Sequence, residues 1–106
     1  MTANTVLVLT TEGSAALAEA LARRVIEQRL AACVALKPVQ SIYRWEGRIE
    51  QSEEVQVLIK THPACLEALE ALVRQQHSYA TPQWLHWPVQ ASGDYAAWLA
   101  ESCALS

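Results

Sequence analysis

The chain has no phenylalanine, three glycines, one methionine and no Cys-x-x-Cys pair, and each shortage removes a class of explanation. No Gly-rich phosphate loop, Gly-x-Ser-x-Gly elbow or His-Glu-x-x-His helix is present, so nucleotide cradling, esterase-type nucleophiles and zincin chemistry lose their usual supports. The Met-x-Cys-x-x-Cys loop of small copper chaperones is missing, as is the Gly-rich, Arg-containing anion loop of an acylphosphatase. Cys33, Cys65 and Cys103 are odd in number and widely spaced, which fits reduced thiols rather than a disulfide framework or a zinc ribbon. Arg and Lys are scattered and the formal net charge is −3, so no electrostatic footprint for nucleic acid or an anionic membrane exists. No apolar run approaches the roughly 20 residues of a membrane span, and Met1 to Thr5 has no basic leader. The expectation is a cytoplasmic protein with neither nucleic-acid nor membrane partners.

What is abundant is apolar surface. Hydrophobic residues make up 52% of the 106 and charged residues only 18%, with four Trp among them. One small core does not require so much, and oligomerisation is its simplest outlet. The length suits a single domain over 1–106.

Val6 to Thr10 is a near-continuous apolar run closed by Thr11-Glu12-Gly13-Ser14, the pattern of a central strand and its turn. Leu17, Leu21 and Val25, with Ala18, Ala22 and Ile26, give one apolar face to a helix over about Ala15 to Gln28 that Ser14 can cap. A second strand opens at Leu30, and Pro38 within it predicts an edge position. The stretch from Cys33 to Thr61 contains one convincing turn, Glu46-Gly47, so it reads as a hairpin with arms of about a dozen residues, each spanning roughly 40 Å. Its tip should project beyond the domain and need cover. Val55, Val57 and Ile59 alternate with Gln56, Leu58 and Lys60, which marks a half-buried third strand. Thr61-His62-Pro63 then starts a helix carrying Leu66, Leu69, Leu72 and Val73 up to about His77. Trp84 to Trp87, bounded by Pro82 and Pro88, is a short fourth strand, and Ser92 or Asp94 can cap a last helix through Tyr95, Trp98 and Leu99. This order predicts an α+β fold, the ferredoxin-like βαββαβ arrangement with a long β2–β3 hairpin and an extra C-terminal helix. Right-handed crossovers place both main helices on one face and leave the other bare. Leu30 to Leu36 is apolar at both parities, so the bare face calls for a neighbour.

Several segments in order carry a closer likeness: Leu30-Ala31-Ala32-Cys33-Val34, Ser41 to Ile49 with Tyr43-Arg44-Trp45-Glu46-Gly47 at its centre, and Glu53 to Thr61. They continue with His77-Ser78-Tyr79-Ala80-Thr81-Pro82, Trp87-Pro88 and Asp94 to Leu99. Together these resemble the CutA, or divalent-cation tolerance, family over nearly the full length. The resemblance implies a homotrimer related in architecture to PII signalling proteins, in which long hairpins embrace neighbouring subunits. It also implies a role in the response to metal ions, with weak copper binding in clefts between subunits and no required cofactor. Two positions depart from the family pattern. Gln83 stands where the family usually has Glu after Thr-Pro, which keeps an acceptor and loses a charge. Thr10 and Leu72 stand where some members carry Cys, leaving Cys33 at the one family thiol position.

Cys33 is a soft ligand suited to Cu(I), and a trimer presents three copies of it; the alternative is a small buried hydrophobe. His77 suits Cu(II) or Zn as an imidazole, or else closes the helix end through its last carbonyls. His62 reads as part of a helix start, and His86 as facing away from Leu85 and Trp87. Glu46, Glu50, Glu53 and Glu54 make the hairpin acidic, either to attract divalent cations or to keep an edge solvated. Tyr43, Trp45, Glu46, Lys60, Tyr79 and Gln83 are the side chains a PII-like cleft would use for a small ligand. Tyr43 and Trp45 equally suit interface anchors. No enzyme is expected; the alternative to a metal-linked trimer is a module for a small molecule or a protein, with metal incidental.

Overall fold

The computed structural model describes residues 3–103. Strand β1 (Thr5–Glu12) leads to helix α1 (Ala15–Glu27), then to β2 (Cys33–Trp45) and β3 (Arg48–Thr61). A single 3-10 turn, Pro63–Cys65, runs into α2 (Leu66–Gln76), followed by β4 (Leu85–Val89) and α3 (Gly93–Ser102). The sheet order is β2-β3-β1-β4 with every neighbouring pair antiparallel, which is the expected ferredoxin-like α+β arrangement. Both edges, β2 and β4, contain a proline, Pro38 and Pro88, whose missing N–H is tolerated there.

The core lies between the sheet and two helices. Ala18, Leu21 and Val25 of α1 and Leu69 and Val73 of α2 pack with Val6, Val8, Val55, Val57 and Ile59. Ser14 caps α1, its Oγ accepting from the Leu17 N–H at 3.2 Å. The residues between these core positions, Leu7, Leu9, Thr11, Gln56, Leu58 and Lys60, face the other side. Cross-strand pairing adds Cys33, Ala35, Leu85 and Trp87 to that side. Helices α1 and α2 leave it uncovered.

The hairpin is as long as its sequence suggests. Arms of 13 and 14 residues meet at Glu46-Gly47, and the molecule measures 45 Å along its longest axis. Only Val55 to Thr61 of β3 also pairs with β1; beyond Val55 the hairpin is a two-stranded ribbon. Its apolar side chains have nothing to rest on, so Ile42 is 69% and Ile49 72% exposed.

Four local expectations change. β2 begins at Cys33 rather than Leu30, because Arg29 turns the chain with φ 56° and Ala32 donates to the Lys60 carbonyl at 3.0 Å. Leu30 and Ala31 then serve the core, which explains why that stretch is apolar at both parities. Pro88 lies inside β4, opposite Val6, and Trp84 precedes the strand and packs on the core. At α3, Ser92 occupies the cap position but donates to Asp94 Oδ1 at 2.7 Å, and Asp94 Oδ1 accepts from the Tyr95 N–H. Finally Thr61 ends β3, buried, with its hydroxyl donating to the Leu30 carbonyl at 2.7 Å, and the helix start falls to His62, whose Nδ1 accepts from the Ala64 N–H.

Candidate functional site

Where β1 stops and the ribbon continues, a concavity of about 620 Å³ opens beside β3. Ser41, Tyr43 and Trp45 of β2 form one wall, Glu54 and Gln56 of β3 the floor, and Tyr79, Ala80, Thr81 and Gln83 of the α2–β4 loop the other wall. Strand alternation explains the first two groups. Tyr43 and Trp45 share the uncovered side with Gln56 because the register pairs Lys37 with Gln56 and side chains repeat every second residue. Tyr43 Oη lies 3.2 Å from Ser52 Oγ on the neighbouring strand.

The third group is held by a buried carboxylate. Glu12, only 1% exposed, ends β1 on the helix side. It accepts from the Gly13 N–H at 3.1 Å, from the Ser78 N–H at 3.0 Å and from the Ser78 hydroxyl. Burial by itself would raise the Glu12 carboxyl, but the Ser78 and Gly13 bonds and the nearby His77 ring outweigh it and hold the group below the usual carboxylate range. His77 is closed from solvent. Its Nδ1 accepts from the Tyr79 N–H at 3.0 Å, which assigns the ring proton to Nε2, and Nε2 donates to the Thr11 carbonyl at 2.6 Å. Glu12 and His77 together fix the loop so that Tyr79 reaches round the strand end and donates to Glu54 Oε2 at 2.7 Å. Burial, then the Glu54 bond and charge, with Glu12 and Tyr43 adding to them, push the Tyr79 phenol well above its ordinary value, so it remains a donor.

Four of the expected cleft residues, Tyr43, Trp45, Tyr79 and Gln83, therefore line one cavity. Glu46 lies at the hairpin turn and Lys60 beside Cys33 on the uncovered face, both outside that lining. Glu54, grouped by sequence with the acidic tip, sits instead at the ribbon's base opposite Val39. Cys33 and His77 are on opposite sides of the sheet: Cys33 is half-buried on the uncovered face, and both ring nitrogens of His77 are engaged within the chain. Among the described residues no group of three or more His, Cys, Asp or Glu is gathered as a metal would need. Two features escape sequence reading: the role of Glu12, whose Glu-Gly-Ser setting signals only a turn, and the meeting of Cys65 with Cys103 beneath α3.

Comparison with known proteins follows this geometry closely. The solved structure of CutA from Synechococcus elongatus superposes with a TM-score of 0.93 at 40% identity, covering 97% of this chain and 93% of that one. The structure described as the periplasmic divalent cation tolerance protein CutA of Archaeoglobus fulgidus gives 0.89 at 31% identity, covering 92% and 97%. The divalent-cation tolerance protein CutA of Pectobacterium atrosepticum is 46% identical over 96 residues, 89% of this chain and 87% of that protein. The family model for the CutA1 divalent ion tolerance protein matches residues 6–102, and the chain belongs to that family.

Proposed function

We propose that the chain acts as a non-enzymatic homotrimer in the cytoplasmic response to divalent metal ions, binding its ligand in the cleft walled by Tyr43, Trp45 and Tyr79. The observation that carries the assembly is the uncovered sheet face. Leu7, Leu9, Leu58, Leu85 and Trp87 form a continuous apolar surface, and Trp45 at the ribbon's end is 58% exposed. Leaving such a surface in water is unfavourable by about 25 cal/mol per Å², and further copies of the same chain offer a matching one. Binding rather than turnover suits the cleft, because its Tyr79 phenol is held as a donor and its one carboxylate, Glu54, already accepts that phenol's hydrogen bond. The odd number of cysteines supports the cytoplasmic setting, and no helix among the described residues is long and apolar enough to cross a membrane.

The same lining favours a second reading. One engaged carboxylate among aromatic and neutral polar side chains suits a small organic molecule better than a bare cation, for which hard ions want several oxygens and copper wants sulfur or imidazole. A cation site on this reading is weak and lies where copies meet, drawing on Cys33 of the uncovered face rather than on His77. Two measurements test the proposal. Light scattering is expected to give three times the chain mass, and a single-chain mass would overturn the assembly. Equilibrium dialysis against copper and zinc with chelating buffers is expected to show weak binding that Cys33→Ser reduces. Binding no tighter than that of an unrelated His-containing protein would end the metal reading and leave the small-molecule one.

A further inference from the structure

Helix α3 is thinly anchored on the domain. Of its ten residues only Leu99 is fully buried, while Tyr95 and Trp98 are exposed and lie against one another, tilted by 49° with ring centroids 5.4 Å apart. Its C-terminal end is held by Arg29, whose guanidinium donates to the Glu101 carbonyl at 2.6 Å. Beneath that end is a separate small cluster made of Leu99, Cys103 and Cys65, with Ala32 against it. Cys103 closes α3 and Cys65 closes the turn that starts α2, so two elements far apart in sequence meet through their thiols. Both cysteines are nearly sealed from solvent, and their side chains are in hydrogen-bonding contact with one another. Burial and the neighbouring Cys103 push the Cys65 thiol up, so it is a thiol rather than a thiolate at neutral pH.

We propose that Cys65 and Cys103 are a redox-responsive dithiol, and that its oxidation by a peroxide clasps α3 to the start of α2. A thiolate sulfur of the pair, exposed when the end of α3 opens, attacks one oxygen of hydrogen peroxide. The O–O bond breaks, a sulfenic acid forms and, with one proton, the first water leaves. The second sulfur attacks the sulfenic sulfur, the S–O bond breaks, the S–S bond forms and the second water leaves. Two thiols thus lose two electrons and two protons, and the peroxide becomes two waters. The pairing needs no rearrangement of the sheet, since both cysteines already belong to one small buried cluster. Closing the long segment between them removes freedom from the opened state of α3, which otherwise depends on one leucine and on Arg29. The clasp fixes the surface that Tyr95 and Trp98 present.

The full chain tests this directly. After peroxide treatment and alkylation of remaining thiols, tryptic digestion separates all three cysteines, because Lys60 and Arg74 flank the Cys65 peptide and Arg44 cuts after Cys33. The expected product is the Cys65 peptide joined to the Cys103 peptide, two hydrogens lighter than their sum, cleaved by dithiothreitol and still formed in Cys33→Ser. Recovery of Cys65 and Cys103 alkylated, or each oxidised singly, would overturn the proposal. Hydrogen exchange of the α3 amides is expected to slow at least about tenfold in the oxidised chain, with no slowing in peroxide-treated Cys103→Ala. Equal exchange in the oxidised and reduced forms would overturn the clasp.

Discussion

On one face of the sheet Val8, Val57 and Ile59 are fully closed from solvent, whereas on the other Leu85 and Trp87 remain 49% and 40% exposed. Both sets of side chains are apolar and alternate along paired strands, so composition does not separate the two faces. Cover does. Among the described residues two helices cover the first face and nothing comparable covers the second, so the proposed assembly would account for the surplus of apolar residues. The cleft sits at the seam between these regimes, where β1 ends, the ribbon loses its third strand and a loop anchored on the covered side reaches round to the uncovered one.

Substitutions on either side of that divide should behave differently. The largest effect is expected on the covered face: Leu69→Ala empties a fully buried site between α2 and the sheet and should destabilise the chain by about 2–5 kcal/mol, read as a lowered denaturant midpoint whatever the state of assembly. On the opposite face Leu58→Asp should leave the far-ultraviolet circular dichroism unchanged while weakening self-association about a hundredfold, or about 2.8 kcal/mol, seen as a fall in mass on dilution. If Leu58→Asp instead unfolds the chain while its mass holds, the distinction between the faces fails. The smallest effect belongs to the seam. Glu12→Gln keeps the size of the side chain but sets an amide against the Ser78 and Gly13 donors, for an expected loss of about 1–3 kcal/mol at neutral pH. Because the folded Glu12 carboxyl lies below its unfolded value, its contribution is complete above the unfolded value of about 4.3 and disappears as pH falls through the lower folded one. The stability gap between the parent chain and Glu12→Gln should therefore hold above about pH 5 and narrow as pH falls below the unfolded value of about 4.3, and a constant gap would remove Glu12 from this role.

The order of elements, the edge placement of β2 and the overlong hairpin were legible because they rest on local periodicity and on proline and turn chemistry. Half of the cleft was legible as well, since Tyr43 and Trp45 lie two apart on a strand and must share a side. The remainder depends on contacts between distant segments. Nothing near Glu12 reveals that Ser78 will fold over it, and nothing near Cys65 reveals that Cys103 will arrive beneath α3. His77 shows the limit well: its place at the end of α2 was readable from the helix pattern, but its burial with both nitrogens engaged follows from where β1 ends. Pro88 misled for a related reason, as only its edge position makes it compatible with β4.

The turn at the far end of the hairpin governs more than its own two residues. Glu46 and Gly47 both adopt left-handed backbone, with φ 49° and 77°, the mirror-image geometry that closes a two-residue loop between Trp45 and Arg48. Along the outer ribbon no third strand checks the alignment of the two arms. A slip of one residue there would carry Tyr43 and Trp45 to the opposite side and strip the cleft of a wall without unfolding the domain. The turn is thus the latch that keeps the ribbon in phase, and the lining of the cleft depends on backbone angles set at the ribbon's most distant point.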